Sequence, residues 1–365
     1  MKFSIFTLTN SISVRGKNFI SNSEKKNNLI IQIMSENKHK HLYLNFLVYL
    51  VFFPLTIVFL FLKFIFSKQK TLIVLFPGVL ELLFLKVLNF RKSKTIGFDF
   101  FTSFYLTLIE DRKQFSNKSI ISKFLIFIDR LVFKISDFQF VESNEMKDYL
   151  NEELNINTSN TYVLPTPRKN DYKKQPTSLN NKNYCQIVFW GNFASMHGLD
   201  HILDSAKELS SKKYTFKLIG DGKLFKDIKK RINKEKIENI ELTGNLPFYD
   251  SESIDDIVSN ILSADICLGT FSNTTKNNLI IPHKIIEAMS FSKPVITADS
   301  LFVRNNLKGV VKAIKPENGK DLALNIEELY NNKDLMDKLS EAGYEFFKKN
   351  FSEKTFKESL ETIVI

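Results

Sequence analysis

The chain has 365 residues, 44% of them hydrophobic and 25% charged, which excludes global disorder and allows two domains, each with its own core. Its formal charge of +11 is lopsided: residues 1–182 hold 26 Lys and Arg against 14 Asp and Glu, whereas residues 183–365 hold 25 against 26. Cys185 and Cys267 offer neither a disulfide framework nor a metal spacing, so they read as small buried hydrophobes, and no metal or cofactor is expected.

In chain order, Lys2–Leu8 reads as a first strand, Ser13–Lys26 as a helix and Leu29–Met34 as a second strand. Thr71–Phe76 is a third strand ended by Pro77-Gly78. Val79–Asn89 is helical, Thr95–Phe98 a short strand, and Ser119–Ser136 a long amphipathic helix. Phe138–Glu142 is a strand and Glu145–Glu153 a helix. Short apolar runs between helical patterns predict a parallel sheet covered on both faces. The polar, proline-bearing stretch 164–182 reads as a linker. The alternation then restarts. Strands are expected at Gln186–Trp190, Thr215–Ile219, Ile240–Leu242, Ile266–Leu268, Val295–Thr297 and Val310–Ile314. Helices are expected at Gly198–Ser210, Lys223–Glu235, Ser253–Leu262, after Pro282, and at Asp321–Tyr330, Asp334–Asn350 and Glu353–Ile363.

The N-terminus lacks the layout of a secretory signal, because its apolar run is short and no small-residue cleavage site follows. Leu42–Leu62 is 21 residues without a charge, long enough to span a bilayer. Spanning there would cut the first two strands away from the rest of their sheet. The preferred reading is a helix kinked near Pro54 and lying in the membrane interface. A helix buried in the domain comes next, and a single-span anchor last. The basic, apolar first half favours an anionic membrane surface. Nucleic acid is not expected, since zinc-finger spacing and a basic helix free of bulky apolar residues are both lacking.

Ala264–Asp299 carries the strongest chemical signal: ADICLGTFSNTTKNNLIIPHKIIEAMSFSKPVITAD. Two strand-like runs flank a helix opened by Pro282. The free N–H groups and dipole of such a helix suit a diphosphate. Lys284 stands in its first turn, and Glu287 lies three residues beyond Lys284 and four beyond His283, on one face. A carboxylate there suits a ribose diol. Upstream, Gly191 ends a strand where backbone can approach a ligand, and Gly198 opens the next helix. The Gly220-Asp221-Gly222 turn follows another strand.

This segment resembles the donor half-site of the family 4 glycosyltransferases, whose pattern runs P-x-K-x-x-E before K-P-V-I. Trp190-Gly191-Asn192-Phe193 with His197-Gly198, the Gly220 turn and the Thr243-Gly244 loop resemble that family's other donor-side motifs. Three departures stand out: Leu279 where many members carry a first glutamate, Ser292 before Lys293-Pro294, and no clamp arginine before His197. Lys276 would then supplement the phosphate clamp, and His197 is either part of it or structural. The resemblance implies donor binding by Gly191, Phe193, His197, Gly198, Gly220, Gly244, Lys276, Pro282, His283, Lys284 and Glu287. Asp99 and Glu287 are the catalytic candidates, with Arg15, Asp99 and Ser103 on the acceptor side.

The fold implied is α/β, two Rossmann-like domains facing a cleft (GT-B-like). Residues 1–163 would bind the acceptor and 183–350 the nucleotide-sugar, with 351–365 returning to the first domain. The function implied is transfer of a sugar, with retention, from a nucleotide-diphospho-sugar to a glycan or lipid-linked acceptor in cell-envelope polysaccharide synthesis. The place expected is the cytoplasmic membrane face. An epimerase or hydrolase on the same fold, or a non-catalytic nucleotide-sugar-binding partner, are the alternatives.

Overall fold

The structure, a computed structural model, describes residues 3–7, 13–23, 29–30, 58, 61–62, 64–111, 114–169, 183–211, 213–248 and 256–364. The greater part of the apolar stretch 42–62 lies outside these, as do 170–182. The chain forms two compact units. The first comprises Met1–Ile109, Gln114–Pro167 and Glu353–Ile365, and the second Glu110–Lys113 and Arg168–Ser352.

The first unit holds a six-stranded, all-parallel sheet in the order β2-β1-β3-β4-β5-β6. Its strands are β1 (Phe3–Thr7), β2 (Leu29–Ile30), β3 (Thr71–Leu75), β4 (Thr95–Asp99), β5 (Phe138–Val141) and β6 (Thr161–Val163). Its helices are α1 (Val14–Asn22), α2 (Val79–Leu88), α3 (Ile120–Ile135) and α4 (Asn144–Glu152). β3 is buried from Leu72 to Leu75, as a strand covered on both faces requires. Ser13, Ser119 and Ser143 each accept the N–H three residues on, which fixes where α1, α3 and α4 begin. The final helix (Glu353–Val364) belongs to this unit. Its Phe356 and Leu360 pack with Phe3, Ile5, Phe19 and Phe140.

A π-helical turn, Leu106–Asp111, follows β4. The buried carboxylate of Asp129 organises its approach, accepting from Ser103 Oγ at 2.6 Å and from the N–H groups of Phe104 and Tyr105 at 3.0 and 3.3 Å. Burial pushes the Asp129 carboxyl up to about 6 against these donors, from an ordinary 3.8. The folded state therefore holds this proton more readily than the unfolded chain. Its contribution to stability is lowest above pH 6 and grows as the pH falls from about 6 to 3.8. Asp129→Ala orphans three donors and is expected to lose about 2–3 kcal/mol in urea unfolding. The gap from wild type should widen as the pH is lowered through that window.

The second unit repeats the plan with sheet order β12-β11-β10-β7-β8-β9, again all parallel. Its strands are β7 (Cys185–Trp190), β8 (Tyr214–Ile219), β9 (Ile240–Gly244), β10 (Ile266–Leu268), β11 (Val295–Ala298) and β12 (Lys312–Ile314). Its helices are α5 (Leu199–Glu208), α6 (Phe225–Glu235), α7 (Ile257–Ser263), α8 (Thr275–Leu279), α9 (His283–Ser290), α10 (Leu301–Asn306), α11 (Gly319–Asn331) and α12 (Lys333–Asn350). The helix Glu353–Val364 is then α13. The two-residue period of β7 divides the core. Cys185, Ile187 and Phe189 join the cluster under α5, α6 and α11, while Val188 and Trp190 join that under α7, α9 and α12.

Residues 164–169 differ from the solvated linker that their composition suggests. Leu164 and Thr166 are buried in the first unit and the Arg168 side chain is buried in the second. The Arg168 N–H donates to Phe351 O at 2.9 Å.

Candidate donor-binding site

The second sheet reverses its winding between β7 and β10: β8 and β9 extend one way, β11 and β12 the other. Ligands of open α/β sheets sit beyond the C-terminal strand ends at such a point, because diverging loops leave a crevice there. Gly191 follows β7 with φ of +145°, and Gly220 follows β8 with φ of +142°. A Cβ on Gly220 would lie 1.9 Å from Gly191 O. Gly220→Ala therefore meets both backbone strain and a backbone clash. It is expected to destabilise the second unit by several kcal/mol or displace the Gly191 turn, read as a fall in Tm.

Two basic side chains converge on this turn. Lys284 in the first turn of α9 is 6% exposed, and its Nζ has no hydrogen-bond partner. Nζ sits 3.7 Å from the centre of the Phe189 ring and 3.1 Å from where a Gly191 Cβ would stand. His197 is also buried, its Nδ1 without a hydrogen-bond partner, its ring edge-on to Phe189 at 5.3 Å. Burial holds Lys284 well below the usual lysine range, with the Glu287 carboxylate opposing. Burial, then the neighbouring Lys284, hold His197 well below the usual imidazole range. No side chain caps α9, because Pro282 precedes its first residue in extended conformation. Two buried basic groups thus face one glycine turn, an arrangement an anion would satisfy.

Glu287, one turn along α9, is held at both oxygens. Arg168 Nε lies 2.9 Å from Oε1 and Trp190 Nε1 donates to Oε2 at 2.8 Å. Arg168 Nε and Nη1 are both buried without a hydrogen-bond partner, so the contact to Oε1 is an ion pair. Sequence reasoning missed Arg168, which stands among the lysines and prolines of a linker-like stretch with no local signal. It also missed the Trp190 indole as a partner of Glu287.

Other expected site residues fall elsewhere. The Phe193 side chain is fully buried between Phe189 and Phe225 with its ring edge against Gly220, so it serves the core beneath the turn. Gly198 takes a left-handed conformation between a short 3-10 turn and α5, and Gly244 ends β9. Lys276 on α8 is engaged by Asp111, Nζ to Oδ2 at 2.8 Å, so it is not a free phosphate clamp. His283 is half-buried at the start of α9. In the first unit, Asp99 and Arg15 are buried and bound to each other, Nε to Oδ1 at 2.6 Å. Arg15 also donates to Leu164 O, with Glu142 at 4.0 Å and Thr166 bonded to that Glu142. As placed, this network ties strand ends together and presents neither side chain to an acceptor. Ser103 is likewise buried, bound to Asp129.

Residues 170–346 match the family model of the glycosyl transferases group 1. The second unit belongs to that family. An uncharacterized glycosyltransferase of Methanocaldococcus jannaschii is 31% identical over 186 residues, 48% of this chain and 46% of that protein. A probable glycosyltransferase of Pseudomonas aeruginosa, WbjE, is 25% identical over 134 residues, 37% of this chain and 31% of that one. The chain thus spans less than half the length of the curated relatives it matches. Among solved structures, Anabaena HepE in complex with UDP and glucose superposes with a TM-score of 0.72 at 13% identity, covering 99% of each chain. Sucrose-phosphate synthase of Thermosynechococcus elongatus gives 0.71 at 11%, covering 100% of this chain and 98% of that one. At these identities the likeness is one of fold, the GT-B fold.

Proposed function

We propose that the protein is a glycosyltransferase that binds a nucleotide-diphospho-sugar at the β7–β10 switch point of its second unit. It passes the sugar to a glycan or lipid-linked acceptor. The observation that carries this reading is the pair of buried, unpartnered nitrogens, Lys284 Nζ and His197 Nδ1, set against the Gly191 turn. A diphosphate there would gain charge-assisted hydrogen bonds from both, and would meet the favourable end of the α9 dipole. In the transfer, the bond from the anomeric carbon to the diphosphate oxygen breaks, and the acceptor oxygen bonds that carbon and loses its proton. Negative charge builds on the leaving diphosphate, where preorganised cations and dipoles stabilise it most. Retention is the stereochemistry that the resemblance implies. UDP, present with HepE, is the first nucleotide to try. The charge of residues 1–182 supports an acceptor at an anionic membrane, on its cytoplasmic face.

The test is a thermal-shift screen against nucleoside diphosphates and nucleotide sugars, followed by product analysis with labelled donor. A shift with turnover only onto an added acceptor supports transfer. Free sugar or an epimerised donor would point to the hydrolase or epimerase reading, and a shift without turnover to a binding partner. No shift with any nucleotide overturns the site. Burial disfavours the charged forms of Lys284 and His197, and a bound diphosphate favours them. Nucleotide binding should therefore take up protons and weaken as the pH rises. Calorimetry in buffers of different ionisation enthalpy would read that uptake.

A further inference from the structure

Among the described residues, the first unit exposes an apolar surface. Of the 19 exposed large apolar side chains among those residues, 15 lie in this unit. Phe66 is 76% exposed, and several of the others lie on helices α2 and α3, which pack against each other. On α2 and the turn after it these are Leu80, Val87 and Phe90, the last two 71% and 75% exposed. On α3 they are Ile120, Phe124 and Phe127, at 83%, 57% and 56%. Both helices already bury an opposite face, through Leu82 and Leu85 on α2 and Leu125, Val132 and Phe133 on α3. A helix apolar on its core side is ordinarily polar on the other.

The exposed charges carried on this surface are mostly basic. At helical spacing Lys123, Arg130 and Lys134 share the outward stripe of α3 with Ile120, Phe124 and Phe127. Arg91, Lys92 and Lys118 are exposed at the flanking turns. The carboxylates within the two helices, Glu81 and Asp129, are both buried. Asp137, just past α3, is the nearby exposed carboxylate, and it is paired with Lys86 at 2.7 Å. A second copy docking on the same face would bring two basic surfaces together. Apolar rings interleaved with cations instead match the boundary of an anionic bilayer, where rings enter the acyl region and cations meet headgroups.

We propose that the outward faces of α2 and α3 are the surface by which the protein docks on an anionic lipid bilayer. The proposal gives a place to the membrane-borne acceptor read above and rests on that reading for its purpose. Among the described residues no helix is long and apolar enough to cross a membrane.

The test is co-sedimentation of the full chain with phosphatidylcholine vesicles, with and without phosphatidylglycerol. Wild type should sediment with the anionic vesicles and be released by salt. Phe124→Ser with Phe127→Ser should reduce partitioning about tenfold or more. Lys123→Gln with Lys134→Gln should reduce both partitioning and its salt dependence. Wild type left in the supernatant overturns the proposal, as does a phenylalanine variant that partitions like wild type. A dimer in light scattering that this variant abolishes, without lipid binding, would assign the face to a second copy and also overturn it. The UDP-induced thermal shift is read in parallel. Its presence in the variants shows that they are folded. The absence of a shift with every nucleotide of the screen in a wild type that binds vesicles removes the donor reading and leaves the docking surface standing.

Discussion

Lys284→Met should abolish the nucleotide-induced thermal shift while making the unliganded protein more stable. The two effects have one origin. The ammonium is buried 3.7 Å over the Phe189 ring and its Nζ lacks a hydrogen-bond partner, so the folded chain keeps a desolvated amine that no contact fully offsets. Methionine fills a similar volume without that penalty, and the expected gain is about 1–3 kcal/mol. For a unit of this size each kcal/mol moves Tm by roughly 2–4 °C. Loss of one charge-assisted contact to a diphosphate should weaken binding about 10- to 100-fold. The pH dependence follows from the same group. Burial depresses the folded lysine below its ordinary 10.5, so the unfolded chain binds this proton more readily. Wild-type stability should then rise with pH between the depressed value and 10.5, and the variant should lack that rise. A variant that is less stable and still binds UDP normally would show Lys284 to be a packing residue.

Much of this site is legible in the sequence because its signals are local. The Pro282–Glu287 spacing and the glycines that end β7 and β8 each sit within one turn or one strand end. The alternation of apolar runs likewise locates most strands, since a buried parallel strand needs little beyond its own residues. The errors fall where pairing is long-range. β6 has three residues and gains its place from β5, to which Gln139–Val141 align it. The short helices α8 and α10 are set by caps at Thr274 and Ser300, too brief to show a period. Asp99 stands at a strand end, where a ligand-facing carboxylate is a fair expectation. Only the fold reveals that Arg15, 84 positions away, is its buried partner.

Arg168→Met and Glu287→Met should each destabilise the protein, and the double variant should recover much of that loss without recovering nucleotide binding. Glu287 is 13% exposed and Arg168 10% by side chain, so each charge depends on the other for solvation lost on folding. Removing one partner leaves a buried charge and typically costs about 3–5 kcal/mol. Removing both leaves an apolar contact beneath the Trp190 indole, whose N–H then lacks Glu287 Oε2 as acceptor, a smaller loss of about 1 kcal/mol. Binding follows a different rule. If Glu287 receives a ribose diol, Arg168 acts through it by fixing the carboxylate from the Oε1 side while Trp190 fixes Oε2. Arg168→Lys, which keeps the charge, should then raise the nucleotide Kd by a smaller factor than Arg168→Met. Urea unfolding and UDP titration on wild type and these four variants separate the cases. A double variant that binds like wild type would confine the pair to structure, and strictly additive stability losses would show that the two charges are not coupled.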